Sequence, residues 1–226
     1  MGLFPLSRRL SEQSRQQGLL FSLFLEMKDN FEIRGFFYRL EDLNCRRDLD
    51  IKRKDTFREI PDLVIVMMNP GNSKPLDGMY KGQKESEAHP DRTQMQIMQL
   101  MDNCDLSYCR ILNLTDIQET KSSNLYKILS KQKTKKMAHS IFDPRRRADF
   151  DELYPKGMRT VFAWGVNDAL TELAERALDL IGTENTFGMQ KHDTETAYYH
   201  PLPPSHYKQQ KWVNQITEQL NNSQQF

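Results

Sequence analysis

Apolar residues form two kinds of pattern along the chain: nearly continuous runs and helically spaced stripes. The continuous runs predict four strands. Such runs are typical of strands that are buried on both faces of a sheet. The predicted strands are residues 63–69, 108–114, 160–165 and 196–200. Helical spacing of apolar residues occurs between or after them, in residues 92–101, 167–182 and 208–220. Strands that alternate with helices predict a doubly wound α/β fold with a four-stranded parallel sheet.

The N-terminal part of the chain does not continue this alternation. Residues 7–25 have the pattern of an amphipathic helix, and residues 31–54 alternate irregularly, as in an antiparallel pair of strands. We therefore expect an N-terminal elaboration in residues 1–60, made of a helix and a hairpin. It packs on an α/β domain formed by residues 61–226.

Composition limits the classes of function that can be argued from charge. The chain has 226 residues, with 32 basic and 31 acidic side chains, so nucleic-acid binding cannot be inferred from net charge. It has to be inferred from local patches. One basic run, between residues 127 and 159, is either a solvated face or a phosphate-binding segment, and it ends in Arg145, Arg146 and Arg147.

Cysteine usage and hydropathy indicate where the protein works. The three cysteines form no CxxC pair or disulfide framework, which predicts free thiols in a reducing cytoplasm. The longest apolar run, residues 19–25, is too short to span a bilayer and lacks a signal-peptide cleavage site. We expect a cytoplasmic monomer without a membrane partner. The spacing of the histidines and cysteines predicts no metal site, and no cofactor is expected.

Two short motifs at opposite ends of the chain carry the candidate chemistry. The first is MMNPGN at residues 67–72, and the second is YHPLPPS at residues 199–205. Each follows a predicted strand and breaks into a proline-containing turn, leaving Asn69 and His200 at the strand ends. Ligands bind outside the carboxyl ends of parallel strands, so these two side chains are expected to face one pocket.

Four strand-end motifs in this order resemble those of the uracil-DNA glycosylase superfamily. They are NPG after the first strand, Asn113 ending the second, AWG ending the third, and HPxP after the last. The likeness is greatest to the mismatch-specific and single-strand-selective branches, whose first motif is also of the NPG type. The resemblance covers roughly residues 63–220 and implies a three-layer α/β/α fold. A group of uncharacterised bacterial proteins shares the same layout.

The resemblance implies a DNA glycosylase, and the chemistry of the residues agrees with that implication. A neutral His200 can donate a hydrogen bond to the carbonyl oxygen of the departing base. Asn69 cannot act as a general base, but its oxygen can hold and aim the attacking water. An aspartate at position 69 is therefore expected to be tolerated or faster. Asn113 offers the donor and acceptor that would read a flipped pyrimidine.

The remaining predicted site residues surround the base or contact DNA. Around the base we expect Met68, Pro70, Gly71 and Tyr80. The residues expected to bind DNA are Pro203, Pro204, Ser205, Lys208, Arg145, Arg146 and Arg147. The superfamily usually has serine directly after HP, where this chain has Leu202, so the phosphate contacts of this loop are open.

The identity of the base follows from Gly71. In the classical uracil-excising enzymes of the superfamily that this chain resembles, a bulky aromatic residue follows the proline of the first motif and blocks the C5 side of the pyrimidine. Glycine at this position removes that block. The predicted substrate is a mismatched or C5-modified pyrimidine in DNA, including hypermodified phage cytosines, released in repair or in antiviral defence. Two alternatives stay open: an inactive nucleic-acid-binding module of the same fold, and a hydrolase of free nucleosides or nucleotides.

Overall fold

The computed structural model describes residues 29–223, which form an α/β fold around one mixed sheet. Its strands are β1 (Phe31–Leu40), β2 (Leu43–Arg53), β3 (Leu63–Met67), β4 (Ser86–Glu87), β5 (Tyr108–Asn113), β6 (Thr160–Ala163) and β7 (Thr186–Gly188). The described helices are α1 (Arg92–Asn103), α2 (Ser122–Leu129), α3 (Gln132–Lys135), α4 (Arg147–Leu153), α5 (Thr171–Ile181) and α6 (His206–Asn222). Short 3₁₀ turns at Pro144–Arg146 and Asp168–Leu170 precede α4 and α5.

The sheet has seven strands in the order β4-β1-β2-β5-β3-β6-β7. Strands β5, β3, β6 and β7 are parallel, whereas β2 joins β5 in the antiparallel sense and carries β1 and β4 beyond it. All residues of β3 are buried, as its continuous apolar sequence predicts for a central parallel strand. The α/β class is therefore confirmed, but the parallel strands belong to a larger mixed sheet.

The prediction of a parallel strand at residues 196–200 is wrong. Tyr198 makes only isolated antiparallel bridges, to Gly165 and Gln190, and the fourth parallel strand is β7 instead. Aromatic packing explains the apolar character of this segment, because the Tyr198 ring lies 5.2 Å from the rings of both Phe162 and Trp164. The segment therefore covers the end of β6 rather than extending the sheet.

The predicted antiparallel pair in residues 31–54 is confirmed by β1 and β2. Its register shifts once: Gly35 pairs with Leu49 but Phe37 pairs with Arg46, so β2 has one more residue than β1 in this stretch. This β-bulge reverses which face of the sheet the side chains of β2 meet. The predicted helix at residues 7–25 lies outside the described residues.

Helices pack on both faces of the sheet, and the alternation along β3 shows how. Leu63, Ile65 and Met67 pack in the same cluster as α1 and α6. Val64 and Val66 point to the other face, in a cluster with α2, α4 and α5. The predicted helices at residues 92–101, 167–182 and 208–220 are confirmed by α1, α5 with its 3₁₀ turn, and α6. Within residues 29–223, no helix combines the length and apolarity that crossing a bilayer requires.

Candidate functional site

A cavity of about 510 Å³ lies where β3 ends, between the turn after this strand, the start of α1 and the HP turn. Both Asn69 and His200 line it, so the structure brings together the two residues that were expected to face one pocket. Met68, Pro70 and Gly71 also line this cavity, as predicted. We call it the Asn–His cavity. Its volume lies within the range of small-molecule sites.

The side chain of Asn69 is held in one orientation. Its Nδ2 donates hydrogen bonds to the backbone oxygens of Ile117, at 3.2 Å, and Glu119, at 2.7 Å. Among the described residues, Oδ1 has no hydrogen-bond donor. The amide therefore presents an acceptor to the cavity, which suits holding water. The same anchor argues against an aspartate at this position, because one of its carboxylate oxygens would oppose two carbonyl oxygens.

His200 is half-buried and is fixed as a neutral hydrogen-bond donor. The backbone N–H of Leu202 donates to Nδ1 at 3.1 Å, so the ring proton of the neutral form lies on Nε2. Burial lowers the pKa of His200 to about 4. Because this contact uses the backbone, the side chain of Leu202 does not set the tautomer of His200.

Two residues of α6 hold the HP turn in place, and the sequence interpretation missed them. Trp212 Nε1 donates to the Tyr199 carbonyl at 2.9 Å, and Gln209 Nε2 donates to the Pro203 carbonyl at 2.7 Å. These bonds bracket His200 on both sides. Both side chains are buried. The sequence did offer one signal for such a role, because Gln209 is a polar residue on the apolar stripe of the predicted helix.

Asn113 lies beneath the cavity rather than on its wall. The residue is fully buried. In the amide orientation that satisfies both polar atoms, Nδ2 donates to the backbone oxygen of Asn69 and Oδ1 accepts from Arg46 Nη2, each at 3.2 Å. The predicted reader of the base is thus engaged with the protein itself.

Arg46 is the lining residue that our interpretation of the sequence missed. It lies on β2, is only 2% exposed, and borders the Asn–His cavity. The β2 bulge accounts for its position: Cys45 belongs to one core cluster while Leu49 and Ile51 belong to the other, so the strand turns over between them. Alternation alone cannot reveal such a reversal.

Asp91 brings a carboxylate to the wall of the cavity. Its Oδ1 accepts from the backbone N–H groups of Thr93 and Gln94, and Gln94 Oε1 accepts from the Asp91 N–H, which completes a capping box for α1. Gly71 faces this carboxylate across the turn after β3. Its φ of +62° favours glycine on its own account, and a Cβ there would lie 3.7 Å from Asp91 Oδ2.

Tyr80 is the predicted base contact that the structure keeps away from the Asn–His cavity. Its ring packs edge-on against Phe37 at 5.8 Å, and its hydroxyl donates to Gln118. It lines a different surface pocket. Tyr80 therefore contributes to the hydrophobic core beside β1.

The predicted DNA-binding residues fall into two groups. Pro203 and Lys208 line a second cavity of about 430 Å³, together with Lys211 and Tyr207, and His200 forms part of the wall of both cavities. Tyr207 is 75% exposed, and Pro204 and Ser205 lie exposed at the start of α6.

The arginines of the basic run line neither of these two cavities. Each is paired with a carboxylate: Arg145 with Asp143 at 2.6 Å, Arg146 with the fully buried Asp116, and Arg147 with Asp151 at 2.8 Å. Arg146 is largely buried, so its geometry is that of a structural ion pair. Among the described residues, no group of three or more His, Cys, Asp or Glu side chains has a geometry that could hold a metal ion.

Comparison of the chain with protein-family models, with curated proteins and with solved structures gave no match. The geometry of the Asn–His cavity therefore carries the functional argument.

Proposed function

We propose that the protein is a DNA glycosylase that flips a mismatched or modified pyrimidine out of DNA and hydrolyses its glycosidic bond. One observation carries the proposal: His200, held neutral with its proton on Nε2, shares a cavity with Asn69, whose amide oxygen is its free end. The three-layer α/β/α fold of the uracil-DNA glycosylase superfamily is part of the proposal. Helices on both faces of the sheet support it.

The proposed reaction assigns one role to each of these side chains. The C1′–N bond of the flipped nucleotide breaks, and its electron pair leaves with the base. His200 Nε2–H donates a hydrogen bond to the base oxygen on which negative charge develops. Water held by Asn69 Oδ1 forms the new bond to C1′, and the proton that it loses neutralises the released base. The product in DNA is an abasic site.

The same proposal assigns the base and the DNA contacts. The turn at Gly71 leaves the cavity open beside Asp91, which favours a pyrimidine with a substituent at C5. The second cavity offers Lys208 and Lys211 for phosphates and the exposed Tyr207 ring for stacking. Repair of mismatched bases and defence against phage DNA with modified bases both fit this substrate class.

The experiment that tests the proposal is alkaline strand scission after incubation with a panel of duplexes. The panel carries uracil, thymine opposite guanine, hydroxymethylcytosine and glucosylated hydroxymethylcytosine. We expect release of at least one C5-substituted base, and a loss of about two orders of magnitude or more in His200→Gln and Asn69→Ala. His206→Gln is the matched control, because His206 is exposed and lines neither cavity. Equal scission by His200→Gln and wild type would remove His200 from the mechanism.

A second candidate, a hydrolase of free nucleosides or nucleotides, is favoured by one specific observation. Asp91 and Glu119 line the Asn–His cavity, and such carboxylates repel a DNA backbone but not a small substrate. Incubation with free nucleosides, followed by chromatography of the released base, separates the two. Base release from nucleosides without strand scission would favour the second candidate.

A further inference from the structure

The guanidinium of Arg46 is a buried cation whose hydrogen bonds are incomplete. The side chain is 2% exposed, and its Nε and Nη1 have no hydrogen-bond partner among the described residues. Its Nη2 reaches only the neutral amide of Asn113. In residues 29–223 no carboxylate forms a salt bridge with it, although every other buried or largely buried arginine of β2 and β5 has an acidic partner.

A buried charge of this kind is costly unless it is paired. The carboxylates that influence Arg46 most are Asp91, Asp48 and Asp116. Each uses one oxygen elsewhere, while Asp48 Oδ2 and Asp116 Oδ1 have no hydrogen-bond partner among the described residues. Asp91 caps α1, Asp48 pairs with Arg47 at 2.6 Å, and Asp116 pairs with Arg146. The protein therefore surrounds Arg46 with a negative field but gives it no direct counter-ion. The space beside it is the Asn–His cavity.

We infer that Arg46 is an anion-binding residue of the Asn–His cavity, and that the ligand brings an oxyanion that completes the hydrogen bonds of its guanidinium. The chemistry that fits is an anion that presents two oxygen acceptors side by side, because a guanidinium offers only donors in a fixed fork. Two sources share this chemistry: a nucleobase that carries negative charge, and a phosphate. The cavity has room for either.

This inference deepens the proposed glycosylase function. The role of Arg46 in the reaction rests on that proposed function, whereas the anion site does not. If a base departs with the electron pair of the broken C1′–N bond, Arg46 provides the positive charge that faces the base anion, while His200 contributes a neutral donor. Asn113 then acts through Arg46 as a positioning residue, since its Oδ1 holds Nη2. The anion site itself stands without the reaction.

The test is binding of small probes to the full chain, measured by isothermal titration calorimetry. The probes are barbiturate, which is a planar anion at neutral pH, uracil, which is neutral and of similar size, and inorganic phosphate. Arg46→Met removes the guanidinium and keeps an unbranched apolar side chain, and Arg46→Gln keeps a polar group. Arg34→Gln is the matched control, because Arg34 lies partly exposed on β1, pairs with Glu32 at 3.1 Å and lines neither cavity.

We expect the wild type to bind barbiturate or phosphate, and both Arg46 variants to bind that anion about tenfold to a hundredfold more weakly, the worth of a charge-assisted hydrogen bond. Uracil binding should change little, and Arg34→Gln should resemble wild type. Preference for barbiturate identifies a base anion, and preference for phosphate identifies a phosphate group. Failure of the wild type to bind either anion, or equal anion binding by Arg46→Met, would overturn the inference.

The strand-scission assay fails or succeeds separately from this one. Loss of anion binding in Arg46 variants of a protein that releases no base would retain the anion site and reject the glycosylase. Base release that Arg46→Met leaves unchanged would retain the glycosylase and reject the role of Arg46 in facing the base anion, and the binding measurement alone would then decide the anion site.

Discussion

Replacing Arg46 by methionine should stabilise the fold, and the size of the gain follows from the burial of the guanidinium. Burial lowers the pKa of Arg46 from 12.5 to about 10, with the attraction of Asp91, Asp48 and Asp116 already included. At about 1.4 kcal/mol per pKa unit, the charged form costs about 3 kcal/mol. The Arg46 guanidinium is charged in both the folded and the unfolded state below pH 10. The whole free-energy cost of burying the charge is therefore present at pH 7. Losing the Asn113 hydrogen bond takes back about 1 kcal/mol.

We therefore expect the free energy of unfolding of Arg46→Met to exceed that of wild type by about 2 kcal/mol. Urea unfolding at pH 7, followed by circular dichroism and without added anions, measures the difference. Arg110→Met is the control, since Arg110 is also buried but pairs with Asp50 at 2.8 Å. Its loss should destabilise by about 3–5 kcal/mol. Equal destabilisation by both substitutions would show that Arg46 has a counter-ion in the folded protein and would refute the reasoning.

Three further predictions concern His200, Asn69 and Arg146. Because the pKa of His200 is lowered in the folded protein, this histidine is protonated in the unfolded chain but mostly neutral in the folded protein between pH 6.5 and 4. Wild-type stability should therefore fall by at most about 3 kcal/mol more than that of His200→Gln over this interval, measured by urea unfolding at both pH values. Asn69→Asp should lose about 1–3 kcal/mol and most base release, seen in parallel unfolding and scission assays, and undiminished scission would contradict this. Arg146→Ala should lose about 3–5 kcal/mol because it leaves Asp116 buried and unpaired, and a loss below about 1 kcal/mol would show that the pair contributes little.

The parts of the fold that depend on periodicity could be predicted from the sequence. The continuous apolar sequence of β3 and the stripe of apolar residues on α1 each indicated the right element and the right burial. The short strand β7 could not be predicted, because three half-buried residues carry no period. Residues 196–200 were misleading for the opposite reason, since their aromatic side chains pack over β6 without entering the sheet.

The candidate site divides in the same way. Asn69 and His200 were predictable because each follows an apolar run and stands in a proline-containing turn. The orientation of Asn113 was not, because an amide at a strand end can face the cavity or the protein, and only the position of Arg46 decides between them. The basic run was misleading because each of its three arginines pairs with a carboxylate. Asp143 and Asp151 are close in the sequence, but Asp116, the partner of Arg146, lies on another part of the chain.

The extra residue in β2 ties the charge of the cavity to the length of the chain as well as to the identity of its residues. Deleting one codon between Arg46 and Leu49 would restore regular pairing with β1, and one half of the strand would then have to turn over. Either the guanidinium would leave the cavity or Leu49 and Ile51 would leave their core cluster. A deletion that leaves every named side chain of the cavity in the sequence would therefore remove its cation or unfold the protein. Length variation in this hairpin is thus a route by which such a fold can gain or lose an anion site in a single genetic step.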